Sequence, residues 1–382
     1  MKHLERVRFD LAIPALNGLR RGRTTGSCAT AAVKAALGLL LHGERCEAVG
    51  VSLPDGVHYL EVPIQMVGWT GCGAARAEVL KDGGDDPDNT HGATIFAEVR
   101  RNEARAVRFF AGRGVGTATR PGLRVAVGEP AINPVPRQMM RRAVEEMLDD
   151  AMAEPPGSGF DLTIGCENGD VIARKTFNPR LGIVGGISIL GTSGIVEPMS
   201  LSTWIASVEV YVRVALAAST ESVAYLPGKI GREFASGVLG LPDERSVQIA
   251  NFLGDALDFT EKALREAERS LDVLWLAGHP GKLAKVLDGF WDTHSSKSNM
   301  AMAGVARVVA QMGGEAQLVH EIENANTVEA AMERLKSEPF AKAVWIEIEH
   351  RIGALAHARV PSVKRLEVRL FDLAGNPLGV DA

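Results

Sequence analysis

A basic cluster directly precedes a predicted helix near the amino terminus of the sequence. The stretch LRRGRTTGSCATAAVKAALGLLLHG predicts a helix over about Gly26–His42, capped by a threonine side chain. Backbone N–H groups, the helix dipole and guanidinium forks together favour a bound anion, and a basic surface turn is the alternative. Cys28 falls in the first turn, where the pKa of a thiol tends to fall, or it is a small buried residue. The residues predicted to form the anion site are Arg20, Arg21, Arg23, Thr24, Thr25, Gly26 and Ser27.

An acidic loop follows further along the chain, in the stretch KDGGDDPDNTHGA. Its four aspartates crowd around two glycines and a proline, and crowded carboxylates need a metal ion, a cationic ligand or solvent. The spacing does not match the calcium-binding loop of an EF-hand. Asp86 and His91 indicate a polar site able to handle a proton, and a solvated turn is the alternative.

Two glycine-rich stretches indicate places where the backbone approaches another group closely. In AGRGVGTATRPGL, Gly114 and Gly116 are not followed by a helix start, so a dinucleotide fingerprint is a poor interpretation. In LGIVGGISILGTSGIVEPMS, the segment Gly186–Ser193 follows the pattern of a phosphate-binding loop, but Thr192 stands where its lysine belongs. The partner of each stretch is a ligand or another strand, and the sequence leaves both open.

Two histidines lie in predicted turns of the second half of the chain. His279 and the preceding Gly278 follow the strand-like LDVLWLAG, and His294 lies in a loop before a later helix. A lone histidine is more often structural. Ligands of parallel sheets bind at the carboxyl ends of strands, however, which favours a site at these turns.

Composition excludes several classes of protein. Of the 382 residues, 46% are hydrophobic and 23% are charged, which is enough for the cores of two domains. The net charge of −5 gives no reason to expect a nucleic-acid or membrane partner, and no apolar run reaches the length of a membrane span. The charged amino terminus does not resemble a signal peptide, and the four cysteines form no C-x-x-C pair. We therefore expect a cytoplasmic protein with reduced thiols and no protein-bound metal.

The order of predicted elements indicates a two-domain α+β and α/β protein. Residues 1–155 hold closely spaced strands of alternating polarity, which favour an α+β domain with a mainly antiparallel sheet. Residues 156–382 repeat strand, glycine turn and helix, which favours a Rossmann-like α/β domain with a mostly parallel sheet. The boundary is placed after a predicted amphipathic helix, Pro136–Ala153, where EPPGSG breaks the pattern.

Six segments together resemble the CbiD family. They are, in order, RTTGSCATAAVKAA, KDGGDDPDNTHG, GRGVGTATRPGL, GEPAINPVPR, KTFNPRLGIVGGISILGTSGIVEPMS and GHPGKLAKVLDGFWDTHS. The resemblance extends over about Arg20–Ser295. The family pattern has an aromatic residue where Arg23 stands and a glycine where Ala250 stands.

The resemblance implies transfer of a methyl group from S-adenosylmethionine to carbon C1 of cobalt-precorrin-5B, giving cobalt-precorrin-6A in anaerobic cobalamin biosynthesis. The implied substrate is a polyanionic corrinoid that brings its own cobalt, and a homo-oligomer or contacts with neighbouring pathway enzymes are compatible with this function. Besides the anion site, the implied substrate-binding residues are Gly114, Gly116, Arg137, Lys175 and Arg180. The implied cosubstrate-binding residues are Gly185, Gly186, Gly191, Thr192, Gly194, Glu197, Gly278 and His279. Candidates for moving a proton are His91, Asp86 and His294.

Two other functions compete with the methyltransferase. A small-molecule kinase that uses the phosphate-loop pattern would bind ATP with magnesium. A non-catalytic corrinoid carrier would bind the macrocycle without a cosubstrate. Titration with S-adenosylmethionine and with ATP separates all three.

Overall fold

Residues 6–71, 73–150, 158–228 and 230–380 are described by a computed structural model. Contacts divide the chain into unit 1, Met1–Ser200, and unit 2, Leu201–Ala382. The division therefore lies after Ser200 and not at the predicted boundary between residues 155 and 156. The physical reason is the strand Gly159–Cys166, which pairs over its full length within the main sheet of unit 1. Most of the EPPGSG stretch falls in 151–157, outside the described residues.

Unit 1 is built from short strands and three helices within its described part. The strands are β1 (Val7–Arg8), β2 (Gly22–Arg23), β3 (Ala48–Ser52), β4 (His58–Pro63), β5 (Met66–Trp69), β6 (Ala75–Leu80), β7 (Thr94–Asn102), β8 (Val107–Ala111), β9 (Gly114–Val115), β10 (Thr117–Ala118), β11 (Gly159–Cys166), β12 (Ile183–Val184), β13 (Gly186–Ile187) and β14 (Ile195–Val196). The helices are α1 (Thr25–His42), α2 (Pro134–Asp150) and α3 (Gly169–Ala173). The two long helices correspond to the predicted ones, although the last predicted residues of α2 lie outside the described part.

The main sheet of unit 1 has the strand order β5-β6-β7-β11-β8. Neighbouring strands run antiparallel except β11 and β8, which run parallel. A long connection that contains α2 separates these two strands in sequence, as parallel pairing requires. Burial alternates along β6, where Ala75, Ala77 and Val79 face the core.

Helix α1 covers the inner face of this sheet against β6 and β7. Five of its thirteen buried residues are alanines, and their small side chains let the strands approach the helix axis. Thr24 is the N-cap, since its Oγ1 accepts the Ser27 N–H, and Gly43 ends the helix in a left-handed conformation. The sheet and helix thus fix the segment before α1, where the basic cluster lies.

Unit 2 alternates strands and helices. The helices are α4 (Leu201–Ala218), α5 (Gly231–Gly237), α6 (Leu253–Glu266), α7 (Pro280–Leu283), α8 (Met302–Gln311), α9 (Ala316–Glu323), α10 (Val328–Lys336) and α11 (Ala341–His357). The strands are β15 (Ser222–Leu226), β16 (Ser246–Gln248), β17 (Leu271–Gly278) and β18 (Val363–Leu370). All strand pairs in this sheet are parallel, and the order is β16-β15-β17-β18. The direction of strand addition therefore reverses between β15 and β17.

Helix α4 has the length and hydropathy of a membrane span, with a mean hydropathy of 1.3 over 18 residues. From Val208 onwards it packs into the core of unit 2, through Val208, Val212 and Leu216. Within the described ranges it is the single helix with these properties. One such helix is weak evidence for a membrane span, because core helices of water-soluble proteins share the same length and composition.

Candidate active site

The basic segment before α1 lies between two acidic partners in unit 1. Arg20 donates two hydrogen bonds to Asp82, at 2.6 and 3.0 Å. Arg21 donates one to Glu197 at 2.7 Å. Strand β2 pairs with β14 on one side, while the Arg23 N–H donates to the Asp82 carbonyl at 2.7 Å on the other. The structure thus brings together the basic cluster, the acidic loop and the end of the second glycine-rich stretch.

The start of α1, which the sequence predicts as an anion site, is occupied by the chain itself. The Gly26 N–H donates to the Leu190 carbonyl at 3.0 Å, and the Ser27 N–H donates to Thr24 Oγ1 at 3.1 Å. Ser27 Oγ also donates to the Gly194 carbonyl at 2.5 Å. The buried residues at this start are Thr24, Thr25, Gly26 and Ser27. An anion would therefore have to displace the glycine-rich stretch to reach these donors.

The two glycine-rich stretches pack against protein atoms. Gly114 in β9 pairs with Gly186 in β13, and a Cβ on Gly186 would overlap the Gly114 carbonyl. A Cβ on Gly191, where φ is +138°, would lie 2.6 Å from Oγ1 of Thr24. The close neighbours of these glycines are thus the chain's own backbone and side chains, and contact with a ligand stays a prediction. The glycines whose Cβ positions are filled in this way are Gly114, Gly116, Gly186, Gly191 and Gly194.

Of the predicted cosubstrate-binding residues in the second stretch, Gly185, Thr192 and Glu197 are exposed, and Glu197 pairs with Arg21. A Cβ on Gly185 would meet open space, and Thr192 is exposed. The phosphate-loop interpretation of this stretch is wrong, because it runs from β13 into β14. A phosphate-binding loop instead leads into a helix whose first N–H groups meet the phosphate.

A buried ion pair that no sequence motif indicates supports the acidic loop. Lys81 Nζ lies 2.5 Å from Asp88 Oδ2, and the Lys81 side chain is only 1% exposed. Burial alone would raise the pKa of Asp88, but Lys81 and hydrogen bonds from Thr90 lower it. The sequence indicates the burial of Lys81 only by its position, because Lys81 continues the alternation by which every second residue of β6 faces the core.

Asp86 and His91 both make hydrogen bonds that hold the acidic loop in place. Asp86 Oδ1 accepts the Met199 N–H at 2.9 Å, and His91 Nδ1 accepts the Gly83 N–H at 3.1 Å. The His91 side chain is half exposed. As far as the described residues extend, Asp86 and His91 share a loop but do not contact each other. Their role in moving a proton stays a prediction.

Asp82 should make the protein sensitive to acid. The hydrogen bonds from Arg20 lower the pKa of Asp82 to about 2, against the opposing effect of burial. A carboxyl with a lowered pKa in the folded state stabilises above its unfolded pKa of about 4, and this stabilisation is lost as the pH falls further. Asp82→Asn should therefore flatten the pH dependence of the free energy of unfolding from about pH 4 down to pH 2. Urea denaturation followed by circular dichroism measures this slope, and equal slopes in Asp82→Asn and in the exposed Asp170→Asn control would contradict the assignment.

Of the other cations predicted to bind the substrate, Arg137 is hydrogen-bonded within the chain, whereas Lys175 and Arg180 are exposed. Arg137 donates from Nε to the Ile132 carbonyl at 2.8 Å and from a terminal nitrogen to Glu129 at 3.0 Å. Lys175 and Arg180 are exposed and have no ion-pair partner in the described part of the chain. Arg137 therefore stabilises its own loop. The Arg180 guanidinium lies 5.5 Å from the centroid of the Phe177 ring, and binding of a ligand by Lys175 and Arg180 stays a prediction.

The reactive-thiol interpretation of Cys28 is wrong. Cys28 is fully buried, and burial raises the pKa of its thiol to about 11. A thiol with this pKa is protonated at neutral pH and is a poor nucleophile. Cys28 is therefore a packing residue beneath the start of α1.

The carboxyl ends of β15 and β17 adjoin each other in unit 2, where the direction of strand addition reverses. A Cβ on Gly278 would lie 2.7 Å from Cγ of Pro227, so the two strand ends are in contact. A Cβ on Gly228 would meet open space. Ligands of open parallel sheets bind at such a reversal.

His279 lies at this edge. Nδ1 accepts the Gly281 N–H at 3.1 Å, and Nε2 is buried without a hydrogen-bond partner among the described residues. Burial lowers the pKa of His279, although Glu329 and Asp372 oppose this effect. The neutral ring therefore carries its proton on Nε2, which is a buried donor that lies 3.6 Å from Glu329 Oε1. Glu329 belongs to the distant α10, so sequence patterns gave no signal for this neighbour.

His294 lies in a different part of unit 2. It is exposed, and its Nδ1 lies 2.7 Å from Ser296 Oγ within the same loop. The structure does not bring it to the strand edge at His279 through any described contact. Across 6–71, 73–150, 158–228 and 230–380, no group of three or more His, Cys, Asp or Glu residues is arranged to hold a metal ion.

Known proteins match this chain along most of its length. Profiles described as "CbiD" and "CbiD, C-terminal domain" match residues 14–198 and 292–382. A Ralstonia nicotianae protein named cobalt-precorrin-5B C(1)-methyltransferase is 62% identical over 97% of this chain and 96% of its own length. Proteins of the same name from Chromobacterium violaceum and Moorella thermoacetica are 60% and 39% identical, covering 97% and 95% of both chains. A crystal structure of the cobalamin biosynthesis protein cbiD from Archaeoglobus fulgidus is 28% identical, covers 74% of this chain and 85% of that chain, and has a TM-score of 0.39.

The elements define a mixed α/β protein, and its curated relatives are methyltransferases by name. The chain belongs to the CbiD family. The first profile ends at residue 198, close to the end of unit 1 at Ser200.

Proposed function

We propose that this chain methylates carbon C1 of cobalt-precorrin-5B to give cobalt-precorrin-6A in anaerobic cobalamin biosynthesis. The observation that carries the proposal is the 62% identity, over 97% of the chain, to a protein of that name. Cobalt enters as part of the macrocycle and is a component of the substrate.

The methyl donor in this proposal is S-adenosylmethionine. When bound, it supplies an activated methyl group whose bond to sulfur breaks as the bond to ring carbon C1 forms. The electron pair of the broken bond stays on sulfur, and the pair for the new bond comes from the macrocycle. The positive charge that this leaves on the macrocycle is removed by loss of a proton to solvent or to a side chain. The chain must align the two reactants and exclude water, and alignment of this kind lowers a barrier by roughly 7–11 kcal/mol.

We assign the cosubstrate to the carboxyl edge of the sheet in unit 2, which we infer to be a Rossmann-like α/β unit. The parallel order with its reversal between β15 and β17 supports this assignment. The open space beside Gly228 offers room. The buried Nε2–H of His279 offers a hydrogen-bond donor that no described side chain uses. Gly278 and His279 therefore remain cosubstrate candidates, whereas Glu197 already pairs with Arg21.

His279→Asn should weaken binding of S-adenosylhomocysteine about tenfold, the effect of losing one good hydrogen bond. Asparagine can still accept the Gly281 N–H, because it is a favoured N-cap residue, so the turn should keep its stability. Isothermal titration calorimetry measures the dissociation constant.

The matched control for this experiment is His320→Asn. His320 is an exposed histidine of α9, and its ring contacts Asn324, the C-cap residue of that helix. The control should bind S-adenosylhomocysteine like the wild type. Equal dissociation constants for His279→Asn and the control would contradict the assignment of the cosubstrate to this edge of the sheet.

We assign the carboxylates of the macrocycle to the unpaired cations of unit 1. Arg174, Lys175 and Arg180 are exposed without ion-pair partners among the described residues. The same segment exposes Phe177 and Val184, which offer apolar area to a flat ring. Asn89 Nδ2 donates to the Lys175 carbonyl at 3.2 Å and ties the acidic loop to this segment.

The proposed function is tested by incubating the purified protein with cobalt-precorrin-5B and labelled S-adenosylmethionine. The expected product carries one added methyl group at C1 and the label. Calorimetry with S-adenosylhomocysteine, and separately with ATP and magnesium, distinguishes the alternatives. Binding of ATP alone would favour a kinase, and macrocycle binding without methyl transfer would favour a carrier.

A further inference from the structure

Arg23 differs from the neighbouring arginines, because its side chain has no hydrogen-bond or ion-pair partner among the described residues. Arg20 pairs with Asp82 and Arg21 pairs with Glu197. Nε of Arg23 is fully buried without a hydrogen bond, and in the described part of the chain no carboxylate oxygen lies within ion-pair distance of its guanidinium. The side chain is half-buried, so water compensates only part of its charge.

The nearby carboxylates are already used by other cations. Both oxygens of Asp82 accept from Arg20, and Asp88 pairs with the buried Lys81. Arg23 is still close enough to Asp82 to lower the pKa of that carboxyl. The guanidinium therefore lies in an electropositive position that a further carboxylate would neutralise.

The fold does not require an arginine at this position. The structural contacts of this residue are backbone contacts, namely the N–H donated to the Asp82 carbonyl and the ladder opposite Ile195 in β14. Any residue that tolerates a strand can make them. A half-buried unpaired charge is by itself unfavourable, so the side chain is explained by a ligand and not by stability.

We propose that Arg23 binds a carboxylate of one of the two reactants through its planar guanidinium fork. This inference rests on the proposed function, because the reactants supply the carboxylate. The shared chemistry has two sources. An acetate or propionate group of the macrocycle agrees with the assignment of the macrocycle to unit 1, whereas the methionine carboxylate of the cosubstrate would contradict the assignment of the cosubstrate to unit 2. A guanidinium fits either bidentately, which an ammonium cannot do.

The experiment compares wild type, Arg23→Gln, Arg23→Lys and the control Arg8→Gln. Arg8 is an exposed arginine of β1 that pairs with Glu61 and lies outside the proposed site. One arm measures the dissociation constant of S-adenosylhomocysteine by calorimetry, and the other measures KM for cobalt-precorrin-5B. Both arms are repeated at several salt concentrations. Thermal unfolding of every variant is recorded in parallel.

Arg23→Gln should raise one of the two constants roughly tenfold or more, the usual effect of losing a hydrogen-bonded charge pair. The constant that rises shows whether the carboxylate belongs to the cosubstrate or to the macrocycle. The affected constant should also depend less on salt than in the wild type. Arg23→Lys should recover part of the loss, and Tm should not fall in Arg23→Gln because no internal partner is lost.

Unchanged constants in both arms would overturn the inference, as would a loss equal to that of Arg8→Gln. These results differ from failure of the proposed function, in which the wild-type protein itself forms no methylated product.

Discussion

Replacing Asp88 by asparagine should lower the free energy of unfolding by about 3–5 kcal/mol. Asp88 is the carboxylate partner of Lys81, whose side chain is 1% exposed. The substitution leaves the ammonium buried with no carboxylate to balance it, and an uncompensated buried charge is strongly destabilising. Asparagine retains an oxygen that can accept the Thr90 N–H. The substitution therefore removes the negative charge but keeps the hydrogen bond that stabilises the turn. Urea denaturation followed by circular dichroism measures the change.

Two further variants separate the ion pair from other effects. In Lys81→Met, the Asp88 carboxylate keeps its Thr90 donors and is 25% exposed, so the loss should be smaller, about 1–2 kcal/mol. The double variant Lys81→Met/Asp88→Asn removes both charges and should recover most of the stability lost in Asp88→Asn. If the double variant were as unstable as the two single losses added together, the pair would not be coupled and the explanation would be wrong.

The acidic loop bears on the proposed site because it supports the basic segment. Asp82 holds Arg20, and the Asp82 carbonyl accepts the Arg23 N–H. Loss of the Lys81–Asp88 pair should therefore disturb Arg23 indirectly. For this reason the tests of Arg23 change that side chain alone.

Local sequence patterns predicted the elements that carry local signals. The threonine before α1 and the alanine-rich run that follows located this helix to within one residue. The repetition of strand, glycine turn and helix indicated the parallel sheet of unit 2. These features depend on capping, periodicity and turn chemistry, which neighbouring residues determine.

Long-range pairing could not be predicted in this way. Strand β11 joins β7 and β8 of unit 1, and nothing in its own sequence names those partners. The group that packs against a glycine is likewise not indicated by the local sequence. The sequence therefore could not decide whether Gly186 packs against a ligand or against another backbone segment. The burial of Lys81 could be predicted only from its place directly after β6, where it continues the core-facing positions of that strand.

Replacing Gly114 by alanine should destabilise unit 1 by about 3–5 kcal/mol, the sum of backbone strain and overpacking. Gly114 has φ of +75°, which side chains rarely adopt. Its Cβ would also overlap the Cys166 carbonyl oxygen and lie 2.9 Å from the Gly169 nitrogen. Backbone atoms of β11 and α3 cannot move aside without breaking their own hydrogen bonds, so the strain cannot relax cheaply.

Gly185→Ala is the matched control, because it separates backbone strain from lack of space. Gly185 has a similar left-handed conformation, with φ of +94°, but a Cβ there would meet open space. Its cost should be that of the conformation alone, about 1–2 kcal/mol. The difference between the two free energies of unfolding therefore measures the close approach at Gly114. If both substitutions had the same small cost, the backbones would not be packed together at Gly114, and the stretch would again be open to a ligand.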